Sequence, residues 1–163
     1  MKFLIFILLL VFIAVAALAF LKRRRDMGVQ WPFYAKQMLT KPEQILYHRI
    51  VSSLPEHIVL AQVQVSRVLG VKKGFNFHEW NNKINRLSYD FVVCTKDFTV
   101  LAAIELDDKS HENPSRVDAE SKKDRATNSA GIRMIRWNVK SLPDEAAIQA
   151  QFPTDSAIER TRR

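Results

Sequence analysis

A single cysteine, Cys94, excludes an intramolecular disulfide. It lies in an apolar stretch with nothing nearby to mark a nucleophile, so it reads as a buried structural thiol. There is no Gly-rich phosphate loop, no serine-centred nucleophile elbow and no Cys/His spacing suited to zinc. The four histidines (His48, His57, His78 and His111) are scattered. P-loop nucleotide chemistry, serine hydrolysis and a zinc module are therefore unsupported, and no organic cofactor is implied. Internal repeats and low-complexity segments are also missing. A basic domain is lacking too, despite a net charge of +8. Lys2 and residues 22–25 supply five of the 25 basic residues, and Arg160, Arg162 and Arg163 supply three. The seventeen that remain face seventeen acidic residues. The body is neutral, and bulk charge identifies no partner.

What the chain has is a long hydrophobic run. Residues 3–21, FLIFILLLVFIAVAALAFL, carry no charge, proline or polar side chain. As a helix this run spans roughly 28 Å, close to the thickness of a bilayer's hydrocarbon core. A cleaved signal is the competing reading, since Ala14, Ala16, Ala17 and Ala19 resemble a cleavage region. The run is longer than a usual signal core, and Lys22-Arg23-Arg24-Arg25 follows it directly. A membrane anchor is the expectation. The basic flank places the C-terminal domain in the cytoplasm, at the inner membrane.

Residues 22–39 read as a basic juxtamembrane linker, with Trp31, Phe33 and Tyr34 suited to the membrane interface. Residues 40–152 read as one α/β domain, and 153–163 as a basic tail. Thr40-Lys41-Pro42-Glu43 is a capping box opening a helix that carries Leu46, Ile50, Val51 and Leu54 on one side. Residues 58–65 alternate as a strand. Residues 66–86 are punctuated by Gly70 and Gly74, with a short helix over 78–85. A hairpin follows: strand 89–95, a turn at Lys96-Asp97, and strand 98–106. After a polar loop come a helix over 117–130 capped by Gly131, a strand over 132–137 and a helix over 143–151. This order predicts a mixed sheet flanked by helices.

Acidic residues on apolar strands are the informative departures. Asp90 precedes Phe91-Val92-Val93, and Glu105 and Asp107 lie two apart on the next strand, sharing a face. A lone buried carboxylate costs several kcal/mol or stays protonated. Carboxylates gathered at one point repel unless a cation sits among them, and oxygen ligands favour Mg²⁺ or Mn²⁺. Such a cation makes a phosphodiester the natural substrate.

The string Ala103-Ile104-Glu105-Leu106-Asp107-Asp108-Lys109-Ser110-His111, with Asp90-Phe91-Val92, Lys123-Asp124, Ala130-Gly131 and Arg136, resembles the PD-(D/E)XK nuclease-like superfamily. More narrowly, it resembles a bacterial family of domains of unknown function related to very-short-patch-repair endonucleases. The resemblance covers roughly residues 40–138 and implies a restriction-endonuclease-like fold. It also implies that Asp90 and Glu105 bind metal, joined by Glu43 from the first helix. Asp107 stands where many superfamily members keep a catalytic lysine. His111 would orient water or contact phosphate, and Lys122 or Lys123 would supply the missing positive charge.

Each residue has a plainer reading. Glu43 is explained by the capping box, Asp107 and Asp108 by a strand ending in solvent, and His111 by an ordinary loop. Lys122, Lys123 and Arg125 read as a solvated helix face. Two functions follow. One is a membrane-anchored, metal-dependent nuclease acting on DNA or RNA. The other is a non-catalytic module on the same scaffold, tethering nucleic acid or a protein at the inner membrane face. The oligomeric state is not encoded in any feature of the sequence.

Overall fold

The structure is a computed structural model that describes residues 2–27, 31–107 and 114–152. It divides into two units, residues 1–36 and 37–163.

The first unit is built on helix α1, Lys2–Met27. Within its segment Phe3–Arg24 an 18-residue window has a mean hydropathy of 3.3 and none of that window is buried in the protein, so the helix is long and apolar enough to cross a membrane. The helix continues past the apolar run into the basic residues that follow it. Trp31, Phe33 and Tyr34 are exposed.

In the second unit, α2 (Lys41–Ser53) opens on the expected capping box, where the Thr40 N–H donates to Glu43 Oε2 at 2.5 Å. Leu46, Ile50 and Ser53 are its buried residues, and the C-cap Leu54 is buried too. Val51 is 41% exposed, against expectation, because it sits one residue round the helix from Ile50. Strand β1 (Ile58–Gln64) leads into a single helical turn, α3 (Val65–Val68), and then into α4 (Phe77–Asn82). Strands β2 (Ser88–Cys94) and β3 (Val100–Asp107) form the hairpin. Its turn is longer than the sequence suggested, with Phe98 at φ 65°. Thr95, Asp97 and Thr99 bond one another there and delay the second strand to Val100. Helix α5 (Pro114–Ser129), strand β4 (Arg133–Asn138) and helix α6 (Glu145–Gln151) complete the unit. Gly131 takes φ +71°, the left-handed cap its position predicted.

The four strands lie in chain order. The pairs β1–β2 and β2–β3 are antiparallel, while β3–β4 is parallel and connected through α5. Side chains alternate between two cores. Phe91, Val93, Ala102, Ile104 and Leu106 pack on Leu46, Ile50 and Ile148 from α2 and α6. Val92, Cys94, Ala103 and Tyr89 pack with Val65, Leu69, Ile84 and, from α5, Ala126. A mixed sheet with helices on its faces was the expected class, and Cys94 is buried as expected.

Candidate functional site

The site forms where the hairpin ladder ends. The last paired residues of β2 and β3 are Phe91 and Ile104. Beyond them, the Leu106 N–H donates to Asp90 Oδ2 at 2.7 Å. Asp90 thus takes the bond that a continuing backbone ladder would have used. On the other side of β2, the register pairs Ala61 with Phe91 and Val63 with Tyr89, so Gln62 falls opposite Asp90. Gln62 takes φ 52°, an uncommon conformation for a residue with a side chain. Its amide donates to Glu43 Oε1 at 3.1 Å. Glu43 is thereby both the capping-box acceptor and a neighbour of the strand ends, so its two readings coexist.

Glu105 lies on the α5 face of β3 and is 5% exposed. Its Oε2 is 2.6 Å from Lys123 Nζ, which also donates to the Ser88 carbonyl at 3.2 Å. Glu120 Oε1 lies 3.2 Å from the same ammonium. Glu105 Oε1 is buried without a hydrogen-bond partner among the described residues. Burial pushes the Glu105 carboxyl up to about 7, against the pull of Lys123. The Asp90 carboxylate adds to the upward push. Asp90 is itself raised by burial, opposed by the Leu106 N–H and reinforced by Glu43. Glu105 thus senses Asp90, and Asp90 senses Glu43 from one layer and Lys123 and Glu120 from the other.

Asp107 is engaged elsewhere. Arg136 on β4 bonds Asp107 Oδ1 at 3.0 Å, Glu120 Oε2 at 3.0 Å and Asp124 Oδ1 at 2.7 Å. Burial opposes the Arg136 charge, but the bonds from Asp124 and Glu120 outweigh it and hold the guanidinium above its ordinary range. Lys123, read from sequence as part of a solvated face, is instead 5% exposed and tied into the interior. Lys122, one residue earlier, does face solvent and pairs with Asp118 on its own helix. His111 lies outside the described residues, as does Asp108.

At this end of the hairpin Asp90 is therefore held by the Leu106 N–H, Glu105 by Lys123, and Glu43 by Gln62. Asp107 is adjacent but bound to Arg136. Sequence reasoning gave no role to Glu120, which links Lys123 to Arg136, to Gln62, or to the buried pair Tyr89–Thr127 beside them. Three positions between Glu120 and Lys123 was the one available signal, since that spacing puts both on one helix face.

Among the described residues, no three His, Cys, Asp or Glu side chains converge into a group that could hold a metal ion. The fit to a divalent cation rests on less than that. It rests on a donor set of carboxylate oxygens and on the buried, unpartnered Oε1 of Glu105. Mg²⁺ commonly takes one or two protein carboxylates and completes its shell with water and substrate oxygens. Asp90 and Glu105 supply carboxylate oxygens of that kind on neighbouring strands.

Residues 35–155 match the model of a family described as "Protein of unknown function (DUF2726)". No curated protein matches the chain, and no solved structure does.

Proposed function

We propose, for a chain that belongs to the DUF2726 family of proteins of unknown function, a membrane-anchored, nuclease-like protein that hydrolyses nucleic-acid phosphodiesters with a divalent metal. The observation that supports this reading is the buried Glu105–Lys123 pair at the end of the β2–β3 hairpin, where Asp90 caps the Leu106 N–H and Glu105 Oε1 has no partner among the described residues. The reading takes the sheet and its crossover helix as a PD-(D/E)XK-type core. It takes α1 as an anchor in the inner membrane, with the domain on the cytoplasmic side, as the basic flank favours.

Asp90 and Glu105 would hold Mg²⁺ or Mn²⁺, which when bound polarises a phosphoryl oxygen and lowers the pKa of a bound water. The chain's own residues do the rest. Lys123 pulls against the burial that favours the neutral form of Glu105 and brings an ammonium to the strand end, where the superfamily's usual lysine position holds Asp107 instead. Arg136 holds Asp107 away from the carboxylate pair and neutralises it. Glu120 bridges the two cations and fixes the helix against the sheet.

The full chain in detergent micelles should cleave labelled DNA or RNA in Mg²⁺ or Mn²⁺. Asp90→Ala and Glu105→Gln should each lower the rate by about a hundredfold or more, as removal of one transition-state contact does elsewhere. Circular dichroism would verify that both variants fold. Cleavage that survives in both ends the proposal.

The pairing of Glu105 with Lys123 favours a second reading, a binding module without turnover, because the pair neutralises itself. Titration calorimetry with Mn²⁺ separates the two. Saturable heat lost in Glu105→Gln belongs to the enzyme, and no heat belongs to the module.

A further inference from the structure

Outside the carboxylate site, a groove of about 650 Å³ opens between the segment joining α3 to α4 and the outer side of α5. Its walls carry two exposed aromatic rings, Phe75 and Trp80, and four cations, Lys72, Lys83, Lys122 and Arg125. Among the described residues no carboxylate lines it. The rings meet edge to face at 5.9 Å, and Lys83 Nζ lies 3.7 Å above the Trp80 ring. A partly exposed indole beside a cation offers a flat, anionic ligand both a stacking surface and a charge. Lys83, the C-cap of α4, pairs with Glu79, and Lys122 pairs with Asp118 on α5. Such exposed pairs contribute about 0–1 kcal/mol and yield readily to a phosphate.

We infer that this groove binds single-stranded nucleic acid, with a base stacked on Trp80 or Phe75 and the backbone phosphates met by Lys72, Lys83, Lys122 and Arg125. Aromatic platforms interleaved with cations are what sequence-tolerant strand binding requires, since every base offers a π-face. A duplex keeps its bases stacked internally and cannot offer one. The volume suits a nucleotide-sized ligand. Helix α5 serves both places. Lys122 faces the groove while Lys123, the next residue, reaches Glu105. The inference takes its ligand class from the proposed nuclease reading, and it names the strand form.

The test uses the full chain in nanodiscs of phosphatidylcholine, in EDTA so that cleavage cannot occur. A fluorescein-labelled oligothymidine should bind saturably by anisotropy, at least tenfold tighter than a duplex of equal length. Trp80→Ala should weaken binding by about five- to a hundredfold, and Trp80→Phe, which keeps a stacking face, should retain it. The log–log salt slope should be about −3, for four cations at about 0.7 each. Equal affinity for duplex, unchanged binding in Trp80→Ala, or equal competition by polyglutamate or phosphatidylserine vesicles overturns the inference. Binding in EDTA without cleavage in Mn²⁺ upholds the groove and removes the hydrolytic reading, whereas cleavage without this binding does the reverse.

Discussion

On its α2–α6 face the sheet buries Phe91, Val93, Ala102, Ile104 and Leu106 against Leu46, Ile50 and Ile148. On its α5 face the same strands bury Glu105 against Lys123 and Tyr89 against Thr127. The first face is held by the removal of apolar surface from water, which is non-directional and insensitive to pH. The second spends part of that gain on desolvating an ion pair. An apolar pair of similar volume would join α5 to β3 at least as well. The α5 face is therefore where stability has been given up, and groups with shifted ionisation gather at such places when they serve chemistry.

The largest test of this contrast is Lys123→Ala. It leaves the Glu105 carboxylate buried and facing Asp90 without its cation, and should cost about 3–5 kcal/mol at pH 8 in urea unfolding. The loss should shrink at pH 5. Glu105 has a folded-state pKa of about 7 against an ordinary 4.5, so folding favours its protonated form. Its contribution to stability is fully present below about 4.5 and is lost as pH rises through about 7. At pH 5 the variant has little charge left to strand. A penalty that is the same at both pH values would mean that Glu105 does not titrate in this window.

The two faces were also unequally legible. On α2 the apolar spacing of Leu46, Ile50 and Leu54 marks a buried stripe, and the capping box marks its start. Only Val51 misleads, because an apolar residue beside the stripe looks like part of it. α5 carries no such stripe. Among its described side chains, Lys123 and Thr127 are the buried ones and Ala126 packs beside them, so periodicity has little to register and a buried lysine reads as a surface one. Asp90 and Glu105 stand out as acids inside apolar strands, and the Asp90 charge adds to the upward shift of Glu105. Asp107 stands out equally, yet binds Arg136, because residues so distant in sequence meet only through the parallel pairing of β3 with β4. The groove was hidden for a different reason. Gly70 and Gly74 interrupt the pattern across 66–86, and Phe75 and Trp80 are brought together by a loop.

Leu46→Ala probes the dry face. Leu46 is fully buried, and its truncation should cost about 2–5 kcal/mol through lost transfer energy and the cavity left behind. Unlike Lys123→Ala, the cost should not vary between pH 5 and pH 8, since among the described residues its core cluster is wholly apolar. Unfolding curves for both variants at both pH values would show whether the faces differ in kind. A pH-dependent penalty for Leu46→Ala would dissolve the distinction.

The finest test lies within the α5 face. The Thr127 hydroxyl donates to the Lys123 carbonyl at 2.7 Å, so its single proton is committed there. The Tyr89 hydroxyl, 2.6 Å from Thr127 Oγ1, must therefore be the donor in their bond. The two deletions are unequal as a result. Tyr89→Phe removes a donor and leaves Thr127 still bonded to the carbonyl, at a cost of about 0.5–1.5 kcal/mol. Thr127→Val leaves a buried tyrosine hydroxyl without an acceptor and the Lys123 carbonyl without a side-chain donor, at about 1–3 kcal/mol. The double variant should cost less than the sum, because Phe has no hydroxyl to orphan. Additive losses, or a larger penalty for Tyr89→Phe, would mean that the proton runs the other way and that α5 is held to β2 by something other than this pair.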